Sequence, residues 1–531
     1  MKKLFYNAIV YTGNDFKEAF IVEDNHFVFV GSNNDAYKLI DDKDEKIDLN
    51  GNFVCAGFND SHMHLLNLGK ALSEADLFNN STSKKQMYEY LKKYVKDNSH
   101  LSWIKGRGWN QDLFIDDKSM PNKKQLDEIC NDKPMFLART CGHCVVVNSK
   151  ALELAKIDND TIAPLGGKID YENGLLYEEA ISLVKNIIDV PDIDEIKKMI
   201  IKSCEYLNSF GISSVQSDDY GVFRNLSYEI VNEAYRQLEE ENKLTLRVYQ
   251  QAHFTNIDSL KEFVQKGNVT GKGTDIYKIG PLKIVADGSL GSRTACLSIA
   301  YNDDPSTSGL CIYSDEAINE MVDYANRNNM QIAIHAIGDK CLDQSLNALE
   351  KALDNNPRDD HRHGIVHCQI SRKDQLEKMI DMKLNIYAQS IFLDYDNHVV
   401  ESRVGKDLAS TSYNWKTLMD NGLNVSNGSD APVEIPDVLK GIQCAITRTS
   451  LDGVGPYLID QAFSVKEAID SFTINGAISS FEEDRKGLIK QGYLADFVVL
   501  NNNPFEVDKY QIYKIKVLNT YLNGKCVFND K

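Results

Sequence analysis

In the stretch "NFVCAGFNDSHMH", Asn52–His64, an apolar run, "FVCAGF", is followed by an acid, a serine and two histidines two residues apart. Along a β-strand, residues i and i+2 share a face, so a strand through this stretch aims His62 and His64 at one spot. Two neutral imidazoles converging there suit a divalent metal such as zinc. A bare His-x-His pair also fits a strand end whose histidines face water. The pair acquires meaning only if further ligands close other strands.

Seven more runs of the same kind follow. They are "GISSVQS", "LTLRVYQQAH", "YKIGPLKIVADGS", "MQIAIHAIGD", "HGIVHCQIS", "LNIYAQSIF" and "LNVSNGSDAPV". Amphipathic helical stretches such as "SDEAINEMVDYANRNN" and "DKCLDQSLNALEKALDNN" separate most of them. Apolar β-branched runs alternating with such helices are the pattern of a parallel sheet built from βα units. Eight units predict an α/β fold of the (β/α)8 TIM-barrel type over residues 57–484, in preference to an open doubly wound sheet. Between the first and second runs, residues 70–205 far exceed a βα loop, so a folded insertion subdomain over the barrel mouth is expected. The first 50 and last 45 residues read as short strands with Asn-Gly and Gly turns, which predicts a β-rich domain from residues 1–56 and 485–531.

The chain has 531 residues, of which 42% are apolar and 26% charged, an ordinary globular balance. Its 59 Lys and Arg against 78 Asp and Glu give a formal charge of −19. A diffuse acidic surface argues against nucleic acid or an anionic membrane as partner. The N-terminus "MKKLFYNAIVYTGNDFKEAF" opens with two lysines but has no long apolar core or cleavage site, so no secretion signal is expected. No run approaches the roughly 20 apolar residues that cross a bilayer. The 11 cysteines include one Cys-x-x-Cys, Cys141-Gly-His-Cys144, with no second pair to close a structural zinc site. A cytoplasmic protein with reduced thiols is expected.

TIM-barrel active sites lie at the C-terminal ends of the strands, so the closing residues of the runs matter most. The first run closes on His62 and His64. The fourth carries Lys283 and then Asp287, the fifth ends in His335, the sixth in His367 and the eighth in Asp430. Four histidines and an aspartate at convergent positions predict a metal or catalytic site.

The ordered set "GFNDSHMHL", "GRGWNQ", "GHCVVVNSKAL", "KIVADGSLGSRTA", "HAIGD", "VHCQ", "GSDAPV" and "KGLIKQGYLADFVVL" resembles the amidohydrolase superfamily. It looks most like the branch of large amidohydrolases that includes N-substituted formamide deformylases, and the resemblance covers nearly the whole chain. It implies that both termini build a small β-sandwich. It further implies two divalent metals, with zinc expected: His62 and His64 on the more buried ion, His335 and His367 on the more exposed one. Lys283, carbamylated by carbon dioxide, would bridge the two. Asp430 would be a further ligand and the proton shuttle. An ammonium beside two cations is repelled, whereas neutral lysine plus CO₂ gives an anionic bridge; the alternative is a buried lysine paired with a neighbouring Asp. The pattern departs at "HGIVHCQ", which lacks the acidic residue that many relatives carry just before the histidine.

The implied reaction is hydrolysis of a carbon–nitrogen bond in a small-molecule amide, such as an N-formyl or N-acyl amine. Two metals about 3.5–4 Å apart would hold a hydroxide, and Asp430 would move the proton to the departing nitrogen. His143 is either a second oxyanion donor or substrate contact, or a structural histidine. Trp109 and Arg107 either line the pocket or serve the core, and Ser289, Ser292 and Arg293, just past Lys283, either shape the site or have a structural role in their loop. The alternatives are a one-metal deaminase of a ring amidine, which needs no lysine bridge, and an inactive binding protein on the same fold, which would have lost ligands. A homodimer is the expected assembly.

Overall fold

Eight strands lie side by side in one parallel sheet of the computed structural model, which describes residues 1–99, 101–139, 143–164, 166–188, 190–223 and 225–530. They are β1 (Phe58–Met63), β2 (Ile212–Ser217), β3 (Arg247–His253), β4 (Tyr277–Val285), β5 (Ile332–Ala336), β6 (Gly364–His367), β7 (Asn385–Ala388) and β8 (Val425–Asn427). Spatial order follows chain order, and each adjacent pair is parallel. β8 returns to β1 through two backbone hydrogen bonds just beyond the strand ends. Asp430 N–H donates to His62 O and His64 N–H to Ala431 O, both at 2.8 Å. The result is a nearly closed eight-stranded parallel barrel.

Helices between the strands form for local reasons visible in the chain. In Asp315–Arg327, Ile318, Met321, Val322 and Ala325 recur at helical spacing and are buried. Ser314 caps its N-terminus by accepting from Ala317 N–H at 3.3 Å.

The first apolar run is two strands of two sheets rather than one. Phe53–Ala56 pairs antiparallel with Phe497–Leu500 and parallel with Ile9–Tyr11, and only Phe58–Met63 enters the barrel. The chain crosses between the sheets at Gly57, where a Cβ would lie 2.2 Å from Ser213 Oγ. A residue without a side chain is what such a close approach requires. Both halves of the run are buried, so exposure does not mark the switch, although the side chains change there from apolar in Phe53–Ala56 to mostly polar in Phe58–Met63.

The sheet that holds Phe53–Ala56 has six strands, drawn from residues 9–17, 53–56 and 497–529. A four-stranded sheet spans Lys3–Tyr6, Ala19–Glu23, His26–Gly31 and Glu45–Asp48. The two share an aromatic core. The ring of Phe497 lies 5.0 Å from Phe5, 4.9 Å from Phe20 and 4.3 Å from Tyr521.

The chain forms two compact units. One comprises residues 1–67, 203–222 and 226–531, so it holds these two sheets together with the barrel; the other comprises residues 68–202 and 223–225. The second unit has its own six-stranded mixed sheet and a core that includes Leu77, Leu91, Ile104, Trp109 and Leu137. Trp109 is fully buried there and donates its Nε1–H to Leu137 O at 2.9 Å, while Arg107 is exposed. Cys141 lies outside the described residues.

Against the expectation of reduced thiols, Cys296 and Cys311 are joined as a disulfide, with Cα atoms 5.4 Å apart. The loop that follows β4 turns back on itself and brings them within bonding range, a proximity that spacing alone does not encode. Among the described residues no helix is long and apolar enough to cross a membrane.

A buried ion pair ties β3 to the segment entering Phe497–Leu500. Arg247 Nε and Nη2 lie 2.6 and 3.0 Å from the Asp496 carboxylate, with both side chains almost fully buried. Removing one partner leaves a buried charge uncompensated, so Asp496→Ala should cost about 3–5 kcal/mol of stability. The double replacement Arg247→Met, Asp496→Leu should recover most of that loss. Urea denaturation of the two variants beside the parent chain measures both effects, and a double variant as unstable as the single one would refute this account.

Candidate metal centre

Strand ends of one barrel bring six of the sequence-derived residues together. His62 is the fifth residue of β1 and His64 follows its last. Lys283 is on β4, His335 on β5, and His367 ends β6. Asp430 follows β8. One ligand atom from each of His62, His64 and Asp430 falls within 4.8 Å of the others. His62 Nε2 and His64 Nε2 lie 3.4 and 3.1 Å from Asp430 Oδ1. Lys283 Nζ reaches His62 Nε2 at 3.1 Å. The His335 and His367 rings lie 4.4 Å apart, and His367 is 5.5 Å from His62.

Neighbouring acceptors decide which ring nitrogen looks inward. His62 Nδ1–H donates to Gln251 Oε1 at 2.8 Å, and His64 Nδ1–H donates to the Asp218 carbonyl at 3.0 Å. Each leaves Nε2 for the centre, the arrangement that outer acceptors impose on metal-binding histidines. His335 Nδ1 lies 3.0 Å from Asp287 Oδ1, although out of line for a hydrogen bond. Asp287 is itself fixed, accepting from the backbone N–H groups of Cys296, Ile337 and Gly338. Where "HGIVHCQ" lacks an acid, both ring nitrogens of His367 are buried without a hydrogen-bond partner among the described residues. Its carbonyl is held instead, accepting from Trp415 Nε1–H at 3.1 Å.

Two of these residues have strained backbones. His367 has φ of 74° and Asp430 has φ of 58°, left-handed values costing on the order of 1–3 kcal/mol at non-glycine residues. Strain of that kind persists where the surrounding structure over-determines a geometry.

Asp60 answers for the acid that precedes the histidines. It does not face the centre. Its carboxylate accepts from Ser429 N–H at 3.0 Å, Ser429 O–H at 2.5 Å and His62 N–H at 3.2 Å, so it stitches β1 to the end of β8. Burial pushes it up to about 7, with the Ser429 hydrogen bonds pulling the other way.

Burial is also the main influence on the inner imidazoles. It holds His62 and His367 well below the ordinary histidine range, assisted by the charges of Lys283 and His335 respectively. Burial also lowers Lys283. For His64 burial acts in the same direction, but the hydrogen bond with Asp430 and the charges of Asp430 and Asp218 prevail and raise it to about 9. The imidazole nitrogens, the Asp430 carboxylate and the orphaned nitrogens of His367 fit a divalent cation, which would displace the proton that Asp430 favours on His64; nitrogen and oxygen donors of this type hold zinc and its neighbours.

The remaining candidates lie elsewhere. His143 belongs to the unit of residues 68–202, where it is exposed and its Nδ1 lies 2.8 Å from Glu178 Oε2. Ser289, Ser292 and Thr294 hydrogen-bond among themselves in an exposed turn, and Arg293 pairs with Asp303. His361 and His363, close to His367 in sequence, are buried and satisfied by Met382 O and Asn326 Oδ1. Reading the chain by strand ends passed over Gln251, Asp218 and His253, which stand at the ends of β2 and β3. The same rule that found the ligands would have found them.

The seam has no spare room. A Cβ on Gly428 would lie 2.6 Å from both Asp60 Oδ1 and His62 N. Gly428→Ala should therefore destabilise the protein by about 1–3 kcal/mol, as overpacking does, and lower the metal retained after gel filtration. Thermal melts and elemental analysis on one preparation measure both; unchanged metal and melting temperature would show that the seam yields freely.

Comparison with known proteins places this arrangement in a family. A model described as an amidohydrolase family matches residues 45–528. The chain is 33% identical to the Bacillus subtilis (strain 168) protein YtcJ, an amidohydrolase by name, over 99% of each chain. It is 23% identical to an N-substituted formamide deformylase of Arthrobacter pascens, covering 96% of this chain and 95% of that one. Among solved structures, an uncharacterised metal-dependent hydrolase of Pyrococcus horikoshii superposes with a TM-score of 0.79 at 28% identity, covering 96% and 99% of the two chains.

Proposed function

The chain belongs to the amidohydrolase family, hydrolases of carbon–nitrogen bonds other than peptide bonds, and from that premise we propose that it cleaves a small-molecule amide of the N-formyl or N-acyl amine class. The observation that carries this reading is the convergence of His62, His64, Lys283, His335, His367 and Asp430 at one end of the barrel. The formamide named by the Arthrobacter relative supports the substrate class.

In this reading His62, His64 and Asp430 hold one divalent ion, zinc expected, and His335 and His367 hold a second. Bound there, such ions acidify water and polarise a carbonyl. Lys283 lies beside the first of these groups, its Nζ 3.1 Å from His62 Nε2. Burial shifts its amine toward the neutral form; the neutral amine would add to carbon dioxide with release of one proton, and the carbamate would supply an anionic ligand where an ammonium would repel the ions. Asp430 takes the proton of the attacking water as the C–O bond forms. It then delivers that proton to the amine nitrogen as the C–N bond breaks. His143 is retained as a candidate substrate contact, and a cytoplasmic homodimer with its thiols otherwise reduced remains the proposed setting.

Two measurements test these roles. The purified protein should carry close to two divalent ions per chain. Lys283→Ala should lose one of them and nearly all hydrolysis of an N-formyl amine, with partial recovery on adding short-chain carboxylates. One ion per chain in the parent protein, together with an unmodified Lys283 by mass spectrometry, would favour a single-metal deaminase acting on a ring amidine.

Asp430→Asn keeps an oxygen at the centre but removes the base. Its kcat should fall by roughly 10²–10⁴-fold, the usual contribution of a positioned general acid–base, while bound metal falls much less. Near-normal turnover would remove Asp430 from proton transfer.

A further inference from the structure

Five of the eight strands deliver the six residues assigned above; β2, β3 and β7 deliver none. The arc of β2 and β3 is nonetheless polar. It ends in Asp218, one residue past β2, and in His253, the last residue of β3. Asp218 is 2% exposed, and one of its oxygens, Oδ1, is buried without a hydrogen-bond partner. The other, Oδ2, lies 3.3 Å from His253 Nδ1.

The barrel ladder fixes where His253 points. It stands in register with Lys283 on the adjacent parallel strand. Residues in register on neighbouring strands send their side chains to the same face of the sheet. Lys283 goes inward, where its Nζ meets His62. Gln251, two residues before His253 and so on the same face, also reaches His62. The His253 side chain is 23% exposed, so the ring stands at the rim of the centre, open to a molecule arriving there.

The ring's chemistry follows from its neighbour. A carboxylate only accepts hydrogen bonds, so the nitrogen facing Asp218 carries the proton. In neutral imidazole the other nitrogen is then an acceptor. Nε2 has no hydrogen-bond partner among the described residues. An acceptor is therefore presented beside Lys283, and the only donor that a scissile amide can offer is its own N–H.

We propose that His253 is a specificity-determining residue whose Nε2 accepts the N–H of the scissile amide, with Asp218 as the positioning residue that holds the accepting tautomer. The inference rests on the amide-hydrolase reading above and narrows it to secondary amides. Tertiary amides and esters lack the hydrogen and leave Nε2 unanswered. Sites built to hydrogen-bond a substrate group discriminate strongly against analogues that lack it; for a ring at the solvent rim, about 10–100-fold is expected.

The test uses three matched substrates with the metal-loaded full chain: N-formylbenzylamine, N-formyl-N-methylbenzylamine and benzyl formate. The parent protein should favour the first over the second by at least about 10-fold in kcat/KM. His253→Leu should lose that preference by slowing only the N–H amide, with bound metal unchanged, and His253→Gln, which restores an acceptor oxygen, should regain part of it. Should the leucine variant fail to fold, the glutamine variant and Asp218→Asn carry the comparison. Independently of metal and activity, ¹⁵N-histidine spectra of the metal-free protein should show His253 protonated at Nδ1, and Asp218→Asn should release the other tautomer. An Nε2-protonated ring, equal cleavage of both amides by the parent, or a uniform loss on all three substrates in His253→Leu each overturns the proposal. Cleavage of none of the three by the parent protein overturns instead the amide reading on which it stands.

Discussion

The hydrogen bonds of one buried carboxylate govern whether a centre exists at all. A barrel sheet has two free edges until its last strand meets its first. Here β8 is only three residues long and contributes few ladder bonds of its own. Asp60 supplies the closure by accepting from both Ser429 donors and from His62 N–H. Because the same bonds run through His62 and end one residue before Asp430, closing the barrel and assembling the inner ligands are a single event. A polar group so deeply buried is costly unless satisfied, and its bonds to Ser429 cross that junction while the one from His62 N–H fixes the strand end within β1.

The centre departs from ordinary interiors in the way a functional site does. A folded core avoids left-handed backbone at non-glycine residues and avoids orphaned buried nitrogens, since both cost free energy. His367 shows both departures. Its carbonyl, gripped by Trp415, accounts for how the turn is held; the ring nitrogens have no hydrogen-bond partner among the described residues. A structure that tolerates those costs at the position where five other candidate ligands converge is arranged around something the protein chain does not itself provide.

Much of this was legible from residue types and spacing, for a physical reason. Parallel barrel strands are buried on both sides, so they appear as apolar runs, and their C-terminal ends can be read for chemistry one by one. Lys283, His335, His367 and Asp430 emerged in that way. What escaped was information carried by three-dimensional proximity. Phe53–Ala56 and Phe58–Met63 follow one another in the chain and are both buried, yet they join different sheets because Gly57 permits a close crossing that residue spacing does not announce. Cys296 and Cys311 meet because a loop folds back. His361 and His363 share their letters with ligands but not their surroundings, and only their acceptors reveal them as core residues.

The sheet that contains Phe53–Ala56 has a consequence for how the protein is made. That strand's antiparallel neighbour is Phe497–Leu500, and the sheet continues through Val517–Leu522 and Lys525–Asn529. A ribosome exposes the early strand long before its partner has been translated. In the interval a buried, aromatic-flanked strand has an unsatisfied edge, the kind of surface that pairs with other nascent chains. Completion of this region is thereby deferred to the end of synthesis, because the strands that cover that edge lie in the last 35 residues of the sequence.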